Sequence, residues 1–171
     1  MRKIKTQDFD VIYSLMEKTF PSDEYRTYDE QKALFNKPEY AIYGLYNAVQ
    51  DIKAFIAVWQ FNKFAYIEHL AVDPEHRNDG IGAYILNKTV ERLGQTVCLE
   101  VEPPETEMAV RRIGFYKRNN FFLNEYAYRQ PPISCGKKAI PLLIMTSGSK
   151  VDEKMFEKIK STLYSKVYNY I

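Results

Sequence analysis

Residues 66–86 read Tyr-Ile-Glu-His-Leu-Ala-Val-Asp-Pro-Glu-His-Arg-Asn-Asp-Gly-Ile-Gly-Ala-Tyr-Ile-Leu, and no other stretch of the chain limits its fold as much. A β-branched and apolar strand, Tyr66–Val72, runs into a turn over Asp73–Asp79. The turn closes on Gly80-Ile81-Gly82 and opens at once into an amphipathic helix. Glycines at the mouth of a helix leave backbone N–H groups unpaired and sterically open, and the helix dipole adds partial positive charge there. Such a place is suited to an anion such as a pyrophosphate. Arg77, three residues before Gly80, can supplement those amides with its guanidinium fork.

A plain structural turn would also explain two glycines after a strand. Two phosphate-binding alternatives fail on residues. A nucleoside-triphosphate loop needs Gly-Lys-Ser/Thr, and nothing of the kind follows Gly82. A dinucleotide fingerprint needs Gly or Ala three residues after Gly82, where Ile85 stands.

Composition closes off further classes. Basic and acidic residues number 24 and 22, so the charge balance gives no sign of a nucleic-acid partner. Cys98 and Cys135 are too few and too unpatterned for a disulfide framework or a metal site; Cys98, in a strand pattern, reads as a small buried hydrophobe. No apolar run approaches the roughly 18 residues of a membrane span, and no signal-peptide core follows Met1, so a cytoplasmic location is expected. With 171 residues and no Pro/Gly/Ser-rich divider, one domain over 1–171 is expected.

Periodicity predicts a first strand at Arg2–Lys5 and a helix from Thr6, its cap, to Phe20, with Phe9, Ile12, Tyr13, Met16 and Phe20 on one face. Pro21 stops that helix, a polar loop follows to Arg26, and a second helix covers Tyr28–Asn36. Tyr40–Tyr46, Ile52–Phe61 and Phe64–Val72 read as consecutive strands. The helix after the glycine turn runs Gly80–Leu93 and ends at Gly94. Beyond it come a strand (Gln95–Glu102), a helix (Glu105–Asn119), strands at Phe121–Tyr128 and Ala139–Thr146, and a final helix over Val151–Tyr168. This order favours an α/β mixed sheet with helices on both faces. Met155, Phe156, Ile159, Leu163 and Val167 give the last helix an apolar stripe, for its own sheet or for a homodimer contact.

What remains at the turn, Arg77-x-x-Gly80-x-Gly82 after Glu68-His69-Leu70-Ala71-Val72, resembles the acetyl-CoA turn of the GNAT acetyltransferases, Gln/Arg-x-x-Gly-x-Gly/Ala between the fourth strand and the third helix. A second segment, Ala109–Phe121, is similar to the family's late helix, whose Tyr is followed by Gly-Phe; here Tyr116 is followed by Asn120-Phe121, and Asn tolerates the left-handed backbone. The usual Asn in the first turn of that helix is missing. Pro21-Ser22-Asp23-Glu24-Tyr25-Arg26 and Leu99-Glu100-Val101-Glu102 match a bacterial-looking subgroup.

The resemblance implies a GNAT-like fold: a central, mostly antiparallel sheet whose parallel fourth and fifth strands splay apart. It implies acetyl-CoA as co-substrate, with Leu70, Ala71 and Val72 contacting its pantetheine arm. Arg77, Asn78, Asp79, Gly80, Ile81, Gly82 and Ala83 would wrap its pyrophosphate, the Asp79 side chain turned to solvent. It implies transfer of acetyl to a primary amine, either a small cation or a peptide amine, with Tyr116 as general acid toward the leaving sulfur.

For the base, strand alternation puts Tyr66, Glu68, Leu70 and Val72 on one face and Ile67, His69 and Ala71 on the other. In the fifth strand Cys98, Glu100 and Glu102 oppose Val97, Leu99 and Val101. Glu68 and Glu100 are therefore candidate bases, acting through a water or orienting a cationic amine, helped by a pKa raised through burial. His69, facing away from Glu68, reads as a core histidine. Glu24, Arg26 and Glu102 are candidate acceptor contacts. A non-catalytic acyl-CoA sensor or scaffold is the competing reading, and an interaction domain without cofactor a third.

Overall fold

The computed structural model describes residues 1–170. Its strands are β1 (Arg2–Lys3), β2 (Tyr40–Tyr46), β3 (Ile52–Gln60), β4 (Ala65–Val72), β5 (Val97–Val101), β6 (Phe121–Asn124), β7 (Arg129–Gln130), β8 (Ile140–Pro141) and β9 (Leu143–Ser147). Its helices are α1 (Phe9–Thr19), α2 (Tyr28–Ala33), α3 (Ile81–Leu93), α4 (Glu107–Arg118) and α5 (Glu153–Thr162). Seven strands form a mixed α/β sheet in the order β1-β2-β3-β4-β5-β9-β6, with β4 and β5 parallel, and β7 pairs separately with β8. The chain divides into two compact units, Met1–Gln95 and Thr96–Ile171. Among the described residues no helix is long and apolar enough to cross a membrane.

In the first unit β2, β3 and β4 form an antiparallel meander of β-branched and aromatic residues, with Ile42, Phe55, Ile56, Val58, Trp59 and Tyr66 buried. α1 buries Phe9, Ile12, Leu15 and Met16, the three- and four-residue spacing of an amphipathic helix. Thr6 does not cap it. Thr6–Asp8 form a 3-10 turn that leads into α1, and no side chain caps either segment. The tighter turn supplies the entry that a cap would have supplied. α3 buries Ile85, Leu86, Thr89 and Leu93 and ends at Gly94, whose φ of 60° is the left-handed C-cap the sequence anticipates.

In the second unit β9 lies between β5 and β6, antiparallel to both, with Leu99 opposite Met145 and Leu123 opposite Met145. β6 ends at Asn124, four residues short of the expected strand. The buried Asn124 amide donates to the Ile144 carbonyl (3.2 Å) and the Thr146 hydroxyl (3.0 Å), and its oxygen accepts from Val151 N–H (2.9 Å). The expected strand at Ala139–Thr146 is split at Leu142 between β8 and β9. The expected last helix is α5 followed by a π-turn, Leu163–Val167, in which Tyr168 N–H reaches back to the Leu163 carbonyl at 3.1 Å.

Candidate active site

The first group of candidate residues surrounds the start of α3. Asp73 accepts from Glu75 N–H at 2.9 Å and sets a short 3-10 turn, Pro74–His76, at the end of β4. Asn78 and Gly80 then both adopt left-handed backbone, with φ of 71° and 73°. Gly80 is the N-cap of α3 and lends no side chain to the amides of Ile81, Gly82 and Ala83. No atom lies within 4 Å of where a Gly80 Cβ would sit, so it is the positive φ and not crowding that favours glycine. Arg77, Asn78, Asp79 and Gly80 are exposed. Arg77 Nε reaches the Val72 carbonyl at 3.4 Å, so its guanidinium stands over the end of β4. Leu70, Ala71 and Val72 pair on one side with Ile56, Phe55 and Ala54. An exposed, uncapped helix start beside a free-ended arginine can hold a pyrophosphate.

A second group lies further up β4. The register passes from Ala57–His69 directly to Val58–Ile67, so Glu68 is the extra residue of a β-bulge. Regular alternation therefore fails at this point, and the expectation that His69 faces away from Glu68 is corrected: His69 Nδ1 lies 3.8 Å from Glu68 Oε2. The Glu68 side chain is almost wholly buried, ion-paired with Arg26 at 2.6 Å, and accepts from the Trp59 indole N–H at 3.2 Å. Burial pushes this carboxyl up, but the Arg26 guanidinium, aided by the indole N–H, outweighs it and holds Glu68 below its ordinary value. The expectation of a burial-raised Glu68 is thus overturned by its partner.

His69 is buried, as a core histidine should be. Its Nε2 lies 2.9 Å from the Glu24 carbonyl, which can only accept, so Nε2 carries the proton. Burial pushes its pKa down despite the neighbouring carboxylate, and Nδ1 has no hydrogen-bond partner among the described residues.

These contacts fasten the segment between α1 and α2. Glu24 is held through its carbonyl, Arg26 through its side chain to Glu68 and through its carbonyl to the Tyr13 hydroxyl (3.2 Å). Thr27 and Glu30 close it with a capping box at the start of α2. Arg26 is 5% exposed, so its guanidinium is spent inside the fold.

The remaining candidates belong to the second unit. Tyr116, near the end of α4, packs its ring against Phe115 and Phe121 at centroid distances of 5.2 and 5.8 Å. Its hydroxyl makes no hydrogen bond among the described residues. Burial pushes its pKa up to about 12, partly offset by Arg112. Asn120, where the family pattern has glycine, takes a φ of 63°. Glu102 pairs with Arg112 at 2.9 Å, both partly exposed. Glu100 accepts from two phenols, Tyr128 and Tyr168, the latter at 2.7 Å. Cys98 on the same strand is fully buried.

The structure thus brings Glu24, Arg26 and Glu68 together with Trp59 and His69, and Glu100 together with Tyr128 and Tyr168. Trp59, Tyr128 and Tyr168 are not legible as partners in the sequence, because they lie 9, 28 and 68 residues from the carboxylates they serve.

A model of the acetyltransferase (GNAT) family matches residues 9–121. A candidate acetyltransferase of that family from Bacteroides thetaiotaomicron has a solved structure that superposes with a TM-score of 0.91 at 33% identity, covering 99% of this chain and 98% of that one. YjbC of Bacillus subtilis (strain 168), named as a candidate acetyltransferase, is 24% identical over 162 residues, 92% of this chain and 81% of its own length. The ribosomal-protein-S18-alanine N-acetyltransferase of Escherichia coli shares the fold, with a TM-score of 0.66 at 21% identity over 89% of this chain and 95% of that one.

Proposed function

Because this chain belongs to the acetyltransferase (GNAT) family, we propose that it is an N-acetyltransferase that moves acetyl from acetyl-CoA to a primary amine. The acceptor is a small cationic amine or a peptide amine. The observation that carries this reading is the start of α3: three first-turn amides without a side-chain cap, behind a left-handed Gly80 and beside Arg77. These residues fit a pyrophosphate in both charge and access. In this reading Arg77, Asn78, Asp79, Gly80, Ile81, Gly82 and Ala83 hold the pyrophosphate, chiefly through main-chain N–H, and Leu70, Ala71 and Val72 hold the pantetheine arm.

Acetyl-CoA supplies an acyl group already activated as a thioester. The attacking nitrogen loses its proton to water, Tyr116 protonates the departing thiolate and regains a proton from water, and the chain's carboxylates orient the amine. A Tyr116 hydroxyl raised to about 12 stays protonated at neutral pH, and its proton, without a partner among the described residues, is available to the leaving sulfur. Glu68, held ionised by Arg26, is a poor proton acceptor and a stable anion, so it acts by orienting the amine or a water beside it. Glu100 shares that task on β5, Glu24 and Glu102 bound the acceptor, and Arg26 acts through Glu68, which it holds in place. The reading places the protein in the cytoplasm, where acetyl-CoA is at hand, with a homodimer contact through α5 as a further expectation.

The test is thiol release from acetyl-CoA against a panel of spermidine, an alanine-terminated peptide and a lysine-containing peptide with a blocked amino terminus. Amine-dependent release with at least one, lost at least tenfold in Tyr116→Phe, supports the reading. Acetyl-CoA binding without release on any amine would favour a non-catalytic sensor instead.

A further inference from the structure

His69 is held so that one ring nitrogen keeps its lone pair. Nε2 donates to the Glu24 carbonyl at 2.9 Å, which puts the lone pair of the neutral ring on Nδ1. Nδ1 is buried and has no hydrogen-bond partner among the described residues. The Phe20 ring packs edge-on against the imidazole at a centroid distance of 4.9 Å and steadies its plane. The β-bulge carries this nitrogen back toward Glu68, whose Oε2 lies 3.8 Å away. That separation is too long for a hydrogen bond, and both atoms are acceptors. One small donor can reach the two of them at about 2.8–3.0 Å each, and a water suits a buried place with two polar partners. Oε2 accepts from the Trp59 indole N–H and has a second lone pair for it. An unmet buried acceptor is costly to a fold, and this one stands beside the carboxylate that orients the amine.

We infer that His69 is the proton acceptor for the incoming amine: through one water seated between Nδ1 and Glu68 Oε2, Nδ1 takes the proton that an alkylammonium must lose before it can attack. The inference rests on the reading of the protein as an N-acetyltransferase with Glu68 at the acceptor. R–NH3+ gives one proton to the water as the water gives one to Nδ1, which leaves the free amine R–NH2 and an imidazolium. The amine lone pair then forms the C–N bond as the C–S bond breaks, and the second nitrogen proton goes to water on attack. The imidazolium returns its proton to solvent before the next turnover. Glu68 on the same strand favours the imidazolium, as does the Glu24 carbonyl on Nε2–H, while burial and the Arg26 guanidinium oppose it. Phe20 faces the ring without charge. Burial wins, so the ring titrates below its ordinary 6.5 and is neutral, able to accept, at pH 7.5.

The chain has 2 histidines, His69 and His76, so nitrogen-15 NMR of histidine-labelled protein reads the ring directly, with His76→Gln assigning the signals. At pH 7.5 Nε2 of His69 should carry the proton and Nδ1 none, with a titration midpoint below 6.5. In parallel, kcat/KM for the fastest amine of the panel above should be level above that midpoint and fall below it, the limb agreeing with the NMR value to within about 0.3 pH unit. His69→Gln keeps a donor for the Glu24 carbonyl and has no base. Its kcat at pH 7.5 should drop at least about tenfold and the limb should vanish, the rate rising steadily with pH as solution supplies the free amine. Should His69→Gln fail to fold, the wild-type midpoint and limb decide alone. A proton on Nδ1 at pH 7.5, a limb that departs from the His69 midpoint, or a limb retained in His69→Gln overturns the inference, while amine turnover leaves the proposed function standing. No turnover on any amine fails the proposed function itself, and this inference with it.

Discussion

Arg26→Met is the perturbation that probes this fold most sharply. Arg26 and Glu68 meet at 2.6 Å with side chains 5% and 1% exposed, so each charge depends on the other for compensation. Removing one member of such a pair strands the other in a poor solvent and costs about 3–5 kcal/mol. At about 3 °C per kcal/mol for a chain of this size, melting should fall by roughly 10–15 °C at pH 7.5. The pH dependence carries more information than the size. Glu68 titrates below its ordinary 4.5 in the wild type, so its contribution to stability is present above that value and is lost as pH falls through the folded-state pKa.

In Arg26→Met, burial is no longer outweighed, and the folded-state pKa of Glu68 rises above the unfolded one. The stranded carboxylate then destabilises at neutral pH and is relieved as it takes up a proton on acidification. The gap between wild type and variant should therefore narrow between pH 7.5 and pH 4.5. The double variant Arg26→Met/Glu68→Gln, which removes both charges, should recover a good part of the loss at pH 7.5. Thermal unfolding by circular dichroism across that pH range reads all three quantities. A gap below about 1 kcal/mol, or one that does not change with pH, would refute the argument that the pair is buried and mutually dependent.

Other consequences follow from single contacts. Tyr116→Phe should lower turnover at least tenfold while leaving acetyl-CoA affinity within about twofold, read by steady-state kinetics and calorimetry. Asn124→Ala removes the amide that joins β9 to Val151 and should cost about 2–4 kcal/mol in urea unfolding, with the second unit affected first. Gly80→Ala forces a Cβ onto a φ of 73°, with open space around it, so it should cost about 1–2 kcal/mol of stability and weaken acetyl-CoA binding more than it weakens the fold. Glu24→Ala leaves the carbonyl that meets His69 intact, so it should raise acceptor KM with kcat little changed, read by steady-state kinetics.

The parts of the molecule that were legible in the sequence are those decided locally. Gly80 and Gly94 bracket α3, each in a left-handed backbone that glycine adopts without strain, and Asn120 takes the same conformation where glycine would be usual. Strand and helix patterns gave β2, β3, β4 and α4 to within a residue or two. The bulge at Glu68 was not legible, since a period of two assumes that every residue is paired, and one unpaired residue carries His69 to the carboxylate it was expected to avoid. The sign of the Glu68 shift depended on an arginine 42 residues earlier. The π-turn was hidden for a related reason: the apolar stripe of the last helix runs smoothly through Leu163 and Val167, and only the tertiary partner of Tyr168 makes the extra residue worthwhile.

Thermal unfolding with and without saturating acetyl-CoA, with Arg77→Ala/Gly82→Val alongside, asks whether the start of α3 binds acetyl-CoA. At about a hundred times the dissociation constant, a ligand that binds only the folded protein adds about 2.7 kcal/mol, a rise of roughly 5–10 °C. The wild type should show that rise and the double variant should lose it. No rise in either protein, or an equal rise in both, would contradict binding there.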